Sequence, residues 1–274
     1  MTIRIKTKNH SAGKEVHKPF LKGSSLDERT VRNSLKFFGT TLLVFFIAFI
    51  ACATAVFDSL ILKLIMNTAV IILALFIFFN SGSKTGTDDV TRGEILFQKK
   101  EKGSAFSKSE ERLCFHPAKG YVIGMIGILP YIIIAIILAV NTSVRMTESG
   151  TLPSWMQAYV KRSDIGDALI NYTQPEGMQF LDFIRAIVRL IILPFVNLIG
   201  SSNKNGMLIL ERLSPLIMML PPAAYGTGYL SGRKIRAQVH TAISESDRKR
   251  KRKEQKKKRA ASAHIKNRET EQLN

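Results

Sequence analysis

Stretches of apolar residues almost free of charge alternate along this chain with segments rich in Lys and Arg. A surface helix of a soluble protein repeats polar residues along one face, whereas here the charges are confined to the segments between the apolar stretches. Three clear stretches occupy residues 37–57, 60–80 and 121–140. About 20 residues at 1.5 Å each cross the roughly 30 Å hydrocarbon layer of a bilayer. The pattern predicts an all-α polytopic membrane protein with a helical transmembrane bundle.

The first two spans are separated by only two residues, so the sequence predicts a transmembrane hairpin over 37–80. The segment 81–120 is polar and is predicted to be a loop. The third span, 121–140, carries no charge and contains Gly124 and Gly127. Glycines at these positions would allow a neighbouring helix to approach closely.

Two further apolar segments follow, and they differ in charge. Residues 213–231 carry no charge and are followed at once by basic residues, which is typical of a span with a cytoplasmic stop. Residues 179–199 are interrupted by Asp182, Arg185 and Arg189. These three follow one another at i, i+3 and i+7, so a helix would place them on one face. The pattern indicates an amphipathic helix or a re-entrant segment.

The distribution of Lys and Arg predicts the orientation. The N-terminal arm, 1–36, has nine; the 81–120 segment has eight; and the tail, 232–274, has fifteen. The 141–178 segment has three. Because basic loops stay on the cytoplasmic side, we expect both termini in the cytoplasm, the 141–178 loop outside, and the chain in the cell (plasma) membrane as a multi-pass protein.

This orientation limits the number of crossings. A chain that is outside after the third span must return to the cytoplasm before residue 233, which requires an odd number of further crossings. We therefore expect four spans, with 213–231 as the fourth, and 179–199 as a re-entrant or interfacial helix. The 179–231 region would then hold one crossing. The alternative is five spans, which would place a basic terminus outside.

The charges in the later apolar segments form the candidate intramembrane polar site. Ionised groups at membrane depth cost about 2.5–3.5 kcal/mol each on insertion scales, so they often mark a function. Asp182, Arg185 and Arg189 are joined as candidates by Glu211 and Arg212, which lie before the final apolar run. The alternatives are a polar site for an anion or a passing peptide, and an interfacial helix whose charges lie among headgroups.

The basic C-terminal tail is the second candidate for interaction. It is predicted to be partly disordered, since a dense run of like charges cannot be buried. Such a run binds anionic inner-leaflet lipids or, through RNA phosphates, RNA or a ribosome, although no aromatic residue interleaves it for base stacking. The candidate contact residues are Arg248, Lys249, Arg250, Lys251, Arg252, Lys253, Lys256, Lys257, Lys258 and Arg259.

Composition adds a formal net charge of +19 and two isolated cysteines, Cys52 and Cys114. The five histidines do not have metal-ligand spacing with another His, Cys or acid, and no phosphate-binding, dinucleotide-binding or nucleophile motif occurs in the sequence. The sequence therefore predicts no catalytic site, cofactor, metal or identifiable small-molecule ligand, and no enzymatic activity.

Two functional hypotheses follow. The first is a non-enzymatic subunit or scaffold of a membrane complex, which contacts other membrane subunits and whose tail contacts anionic lipid, RNA or a cytosolic protein. The second is a transporter, channel or insertase-like protein that uses the charged face of Asp182, Arg185 and Arg189. Neutralising the two arginines separates them, because it would abolish transport but affect a scaffold only mildly.

Overall fold

The computed structural model describes residues 18–54, 59–142, 152–173, 180–200 and 203–271. Within these residues the chain forms helices and turns without a β-strand, which confirms the all-α prediction. Four of the helical segments are long and apolar enough to cross a membrane. The protein is thus a multi-pass membrane protein by the length and composition of its helices. Residues 1–17 of the predicted N-terminal arm, and residues 143–151 and 174–178 of the predicted 141–178 loop, lie outside the described residues.

The helices are, in chain order, α1 (Glu28–Thr54), α2 (Leu60–Glu101), α3 (Lys108–Arg112), α4 (Lys119–Asn141), a 3₁₀ helix (Ser154–Lys161), α5 (Gly166–Thr173), α6 (Phe180–Ile191), α7 (Leu193–Ile199), α8 (Lys204–Ile217) and α9 (Leu220–Glu271).

The second helix is twice as long as the predicted span. It does not end near residue 80 but continues through the first half of the predicted 81–120 loop to Glu101. No proline interrupts this part, and the hydroxyls of Thr87 and Thr91 bond back to carbonyls four residues earlier, which satisfies them within the helix. The helix stops at Gly103, whose φ of +69° allows the left-handed C-terminal cap that a glycine adopts at little cost.

The final apolar segment is also different from the single predicted span at 213–231. It is divided between α8 and α9, which are separated at Met218 and Met219. Pro221 and Pro222 lie in the first turn of α9, where their missing N–H groups have no intrahelical acceptor to lose, and their rings prevent α8 from continuing.

The tail is helical where partial disorder was expected. Helix α9 continues from Leu220 to Glu271, through the polybasic run. Residues 233–271 contain no Gly or Pro and are rich in Lys, Arg, Glu, Gln and Ala, which are among the best helix formers. The composition that suggested disorder is therefore also compatible with one long exposed helix.

The 179–199 segment forms two short helices. α6 has 12 residues and α7 has 7, and Pro194 lies at the start of α7. At 1.5 Å per residue these helices are about 18 and 10 Å long, well under the roughly 30 Å of a hydrocarbon layer. Neither is long enough to cross a bilayer alone.

The chain divides into two compact units, which we call the apolar unit (28–80 and 121–226) and the polar unit (1–27, 81–120 and 227–274). The apolar unit has a large core from α1, α2, α4 and α6–α9, centred on Phe37, Phe78 and Ile128. Its outward residues are also apolar, which is expected of a surface in contact with lipid tails. They include Leu43, Phe46, Ile61, Ile72, Leu129 and Ile133.

Gly124 and Gly127 lie at close helix contacts in the apolar unit, as predicted. A Cβ atom on Gly124 would lie 2.8 Å from the Cα of Pro222, and one on Gly127 would lie 2.7 Å from the carbonyl oxygen of Ser34. Glycine is required at both positions because neighbouring backbone occupies the space of a side chain. Helix α4 is thereby held close to both α9 and α1.

The polar unit has a smaller core, made of Val90, Phe115 and Tyr229 with Phe20 packed against it. The chain before α1 is tied to it by backbone hydrogen bonds, from Leu21 N–H to the Gly93 carbonyl (3.1 Å) and from Gly23 N–H to the Phe115 carbonyl (3.0 Å). Residues 81–120, the part of α9 from residue 227 onward and residues 18–27 thus belong to one compact unit.

Candidate functional site

The predicted intramembrane residues come together around Glu211, on α8 of the apolar unit. Its carboxylate accepts a hydrogen bond from Arg189 Nε at 2.8 Å and lies 3.2 Å from Arg185 Nε. The Glu211 side chain is only 1% exposed and that of Arg185 10%, whereas Arg189 is 41% exposed. The arginines lie one helical turn apart on α6, so both reach the same carboxylate.

The remaining predicted residues divide. Asp182 lies 3.6 Å from Arg185 and adds a second carboxylate to the cluster. Arg212, next to Glu211 in sequence, is exposed. Thr142, at the end of α4, lies 3.4 Å from Glu211, a contact that the sequence did not suggest. The charged residues predicted from the sequence, except Arg212, therefore form one cluster with Glu211 at its centre.

The charges of this cluster balance. Two arginines face one glutamate and one aspartate, so the formal charge is zero. A buried carboxylate with two cations is stable only as a set, because removing one partner leaves an uncompensated charge in a low-dielectric environment. The arrangement fastens α6 to α8 and offers no excess positive charge to an anion.

A second buried charge cluster lies in the polar unit, and sequence reasoning missed it. Lys119, the first residue of α4, is fully buried, and its Nζ lies 2.7 Å from Asp27 and 3.2 Å from Asp89. Asp89 also accepts a hydrogen bond from the Tyr229 hydroxyl at 2.8 Å. The Lys119 ammonium further donates to the carbonyl of Leu113 at 3.2 Å.

Aromatic packing closes this second cluster. The Phe115 and Tyr229 rings stack with centroids 5.1 Å apart and planes 5° from parallel. Gly86 and Gly120 leave room for Tyr229, since a Cβ on either would lie within 2.4 Å of a Tyr229 atom. Beside them, burial raises the pKa of the Cys114 thiol to about 11, so this thiol is protonated near neutral pH and a poor nucleophile.

The second cluster draws its members from four separate parts of the chain, which explains why the sequence concealed it. Residues 27, 89, 119 and 229 share no local spacing, and a lysine at the start of a span usually reaches water. The available signal was one of position: Lys119 directly precedes the 25 uncharged residues 120–144, and Asp27 directly precedes the first residue of α1. The fold was needed to join them.

The polar unit also contains a pocket with an excess of basic groups. Glu94 forms its floor, with Arg236 Nε at 2.9 Å and His240 Nε2 at 2.8 Å. The lining also includes Lys18, Phe20 and Arg233, and the Arg233 guanidinium lies over the Phe20 ring, 5.7 Å from its centroid. From the sequence, Arg233 and Arg236 were interpreted only as part of the cytoplasmic stop after the final span, and the pocket was not predicted.

The polybasic residues do not join a site in the described structure. Those from Arg248 to Lys257 are exposed, and the contact between Arg250 and Glu254, at 3.6 Å, is a weak surface pair. The side chains of Lys258 and Arg259 lie outside the described residues. The helix itself continues past both to Glu271.

Metal-binding geometry does not occur in the described part of the chain: none of its His, Cys, Asp and Glu side chains form a group of three or more that would hold an ion. Comparisons with protein-family models, with curated proteins and with solved structures found no match.

Proposed function

We propose that this protein is a non-enzymatic scaffold subunit of the cell membrane, which crosses the bilayer four times and presents a polybasic helix to RNA on the cytoplasmic side. The observation that carries the proposal is the continuity of α9. One helix begins in the apolar unit at Leu220 and includes residues 248–257, whose side chains are all exposed. The membrane portion would anchor this helix, and the helix would supply the contact.

Four crossings are supported by the composition of the polar unit. Residues 81–120 and 227–274 belong to one compact body, joined by the Tyr229–Asp89 hydrogen bond and the Arg236–Glu94 ion pair. Two segments of one body must share a side of the membrane. An even number of crossings must therefore separate them, which disfavours the five-span alternative and leaves α6 and α7 as a re-entrant or interfacial element.

The cytoplasmic assignment is supported by the division of charge. The polar unit has 29 Lys and Arg against 13 Asp and Glu, and the apolar unit has 11 against 8. Nearly all of the net charge of +19 thus belongs to one unit. Positively charged segments are retained on the cytoplasmic side, so the polar unit and both termini would lie there.

RNA is favoured over the inner leaflet as the partner of the tail for two reasons. Arg248 follows Gly232 by 16 residues, which is about 24 Å along a helix axis, while the field of anionic lipids decays over about 8 Å. Six consecutive basic residues, 248–253, also surround the helix on all sides. A helix that lies on a membrane needs an apolar face, whereas a cationic rod suits a polyanion in solution.

The test is the salt dependence of RNA binding by the full chain in nanodiscs of zwitterionic lipid, with a fluorescent single-stranded oligonucleotide as the probe. Lys251→Gln, Arg252→Gln and Lys253→Gln together should weaken binding and reduce the slope of log K against log salt by about 2, because about 0.7 counterion is released per contact. The matched control replaces the exposed Lys99, Lys100 and Lys102 with Gln. Equal losses in both triple variants would contradict the proposal.

The transporter or insertase hypothesis is less well supported. Its candidate residues Arg185 and Arg189 are compensated by Glu211 and Asp182 within the apolar unit. A groove that attracts an acidic or polar substrate needs cations that its own carboxylates do not neutralise. The arginines act instead, in our proposal, as the internal support of α6.

A further inference from the structure

The basic pocket of the polar unit has a chemistry that the scaffold proposal does not use. It is lined by Lys18, Arg233, Arg236 and His240 around the single carboxylate of Glu94. Arg236 and His240 both contact Glu94 directly. The other two basic side chains of the lining, Lys18 and Arg233, have no carboxylate partner among the described residues. We propose that this pocket binds a phosphate group of the kind carried by an anionic phospholipid.

The charge balance of the pocket supports this ligand class. Glu94 offsets Arg236, which leaves the ammonium of Lys18 and the guanidinium of Arg233 as net positive charge. Arginine presents paired donors that match phosphate oxygens, and lysine adds a point charge. Glu94 serves a second purpose, because it holds Arg236 and His240 in place before a ligand arrives and so reduces the entropy lost on binding.

The position of the pocket along α9 favours a lipid headgroup as the source of the phosphate. Arg233 is the first charged residue after the 19 uncharged residues 213–231. Along α9 it lies two residues past Ser231, the end of that stretch, which is about 3 Å of helix axis, so it is the pocket residue of α9 nearest the apolar stretch. Basic pockets next to membrane helices on the cytoplasmic side are known to take anionic headgroups.

The pocket also provides a suitable wall for a lipid. The Phe20 ring, packed edge-on against Phe115 at 5.9 Å, supports the guanidinium of Arg233. This cation–π contact holds Arg233 across the pocket while its N–H groups remain free to donate outward. An apolar ring beside two cations fits the boundary between a phosphate and the glycerol to which it is attached.

The experiment measures thermal unfolding of the purified full chain in detergent with three probes: short-chain phosphatidic acid, short-chain phosphatidylcholine and inorganic phosphate. Phosphatidic acid should raise the midpoint in a saturable way, since a ligand that binds only the folded state stabilises it. Phosphatidylcholine should not. An equal rise with inorganic phosphate at the same concentration would retain the phosphate site and reject the lipid as its source.

Two variants make the test specific to the pocket. Lys18→Gln with Arg233→Gln should weaken the apparent affinity for phosphatidic acid about tenfold or more, as expected for charge-assisted hydrogen bonds. The control, Lys22→Gln with Lys234→Gln, removes the same charge from exposed neighbouring positions. If both pairs lose affinity equally, the effect is one of general charge and the proposed site is wrong. Truncation of the tail after residue 247 should leave this affinity unchanged, so the result is independent of RNA binding.

Discussion

Each unit contains a buried charged side chain held between two side chains of opposite charge, and the signs are reversed between the two units. In the apolar unit a buried glutamate, Glu211, lies between two arginines, and in the polar unit a buried lysine, Lys119, lies between two aspartates. In each case the central group is almost inaccessible to water. One opposite charge is not enough for either centre, because burial removes the solvation that an ion needs and several partners must replace it.

The difference between the clusters lies in the exposure of the outer charges. Asp27 and Asp89 are 4% and 0% exposed, so the Lys119 cluster is closed on every side. Around Glu211 the outer Arg189 is 41% exposed and Asp182 21%. The Glu211 cluster is thus connected to its surroundings by two of its four charges. If the central charge of this cluster is removed, the exposed outer charges can turn toward water. The buried aspartates around Lys119 cannot.

The largest expected effect is that of Lys119→Met. The variant leaves two buried carboxylates without the ammonium that lies 2.7 and 3.2 Å from them. We expect the free energy of unfolding to fall by about 3–5 kcal/mol, measured by chemical denaturation in detergent. Lys108→Met, at an exposed position on α3, is the control and should change it little. A loss under 1 kcal/mol for Lys119→Met would show that the closed cluster around Lys119 is not more sensitive than the cluster around Glu211.

Glu211→Gln should have a smaller effect, about 2 kcal/mol on the same scale. The amide keeps one acceptor for the arginines, Arg189 can turn toward its surroundings, and Asp182 still compensates Arg185. Glu245→Gln on exposed α9 is the matched control. We expect Glu211→Gln to lower the free energy of unfolding less than Lys119→Met does. If the two losses are equal, the exposure of the outer charges does not determine how well a cluster tolerates the change.

The smallest expected effect concerns Cys114, which tests whether the Lys119 cluster excludes water. Burial raises the pKa of its thiol from 9.0 to about 11, so at pH 8 it should react with a maleimide far more slowly in the folded than in the denatured protein. Because the folded state favours the protonated thiol, this group stabilises the fold only while the thiol stays protonated in both states. Its contribution should be complete below pH 9 and lost as the pH rises through 11. Equal labelling of folded and denatured protein would show that this region is open.

The sequence allowed most of the apolar unit to be predicted. Long uncharged runs located the apolar parts of α1, α2 and α4, and helical spacing placed Asp182, Arg185 and Arg189 on one face, because both signals are local. The prolines of the final segment were visible too, although their effect on α8 and α9 was not predicted. The sequence identified Glu211 only as one candidate residue of the polar site. The structure shows that it is the centre of the charge cluster.

The polar unit could not be predicted in the same way. Its segments are individually hydrophilic, and the 81–120 and 232–274 regions were therefore interpreted as loop and partly disordered tail. Parts of them instead continue α2 and α9 as helix, and a few buried side chains hold these parts together. Tyr229, for example, packs with Val90 and donates a hydrogen bond to Asp89, 140 residues away in sequence. Hydropathy averages hide such sparse contacts, and only the fold brings them together.

The number of membrane crossings can be measured by cysteine accessibility in intact cells. Cys52 and Cys114 are replaced by Ala, and single cysteines are introduced as Trp155→Cys, Asn203→Cys and Ser262→Cys. We expect a membrane-impermeant maleimide to label positions 155 and 203 and to spare 262 until the cells are opened. That result would establish four crossings with the polar unit in the cytoplasm. Protection at 203 with labelling at 262 would instead mean five crossings, and it would contradict the account.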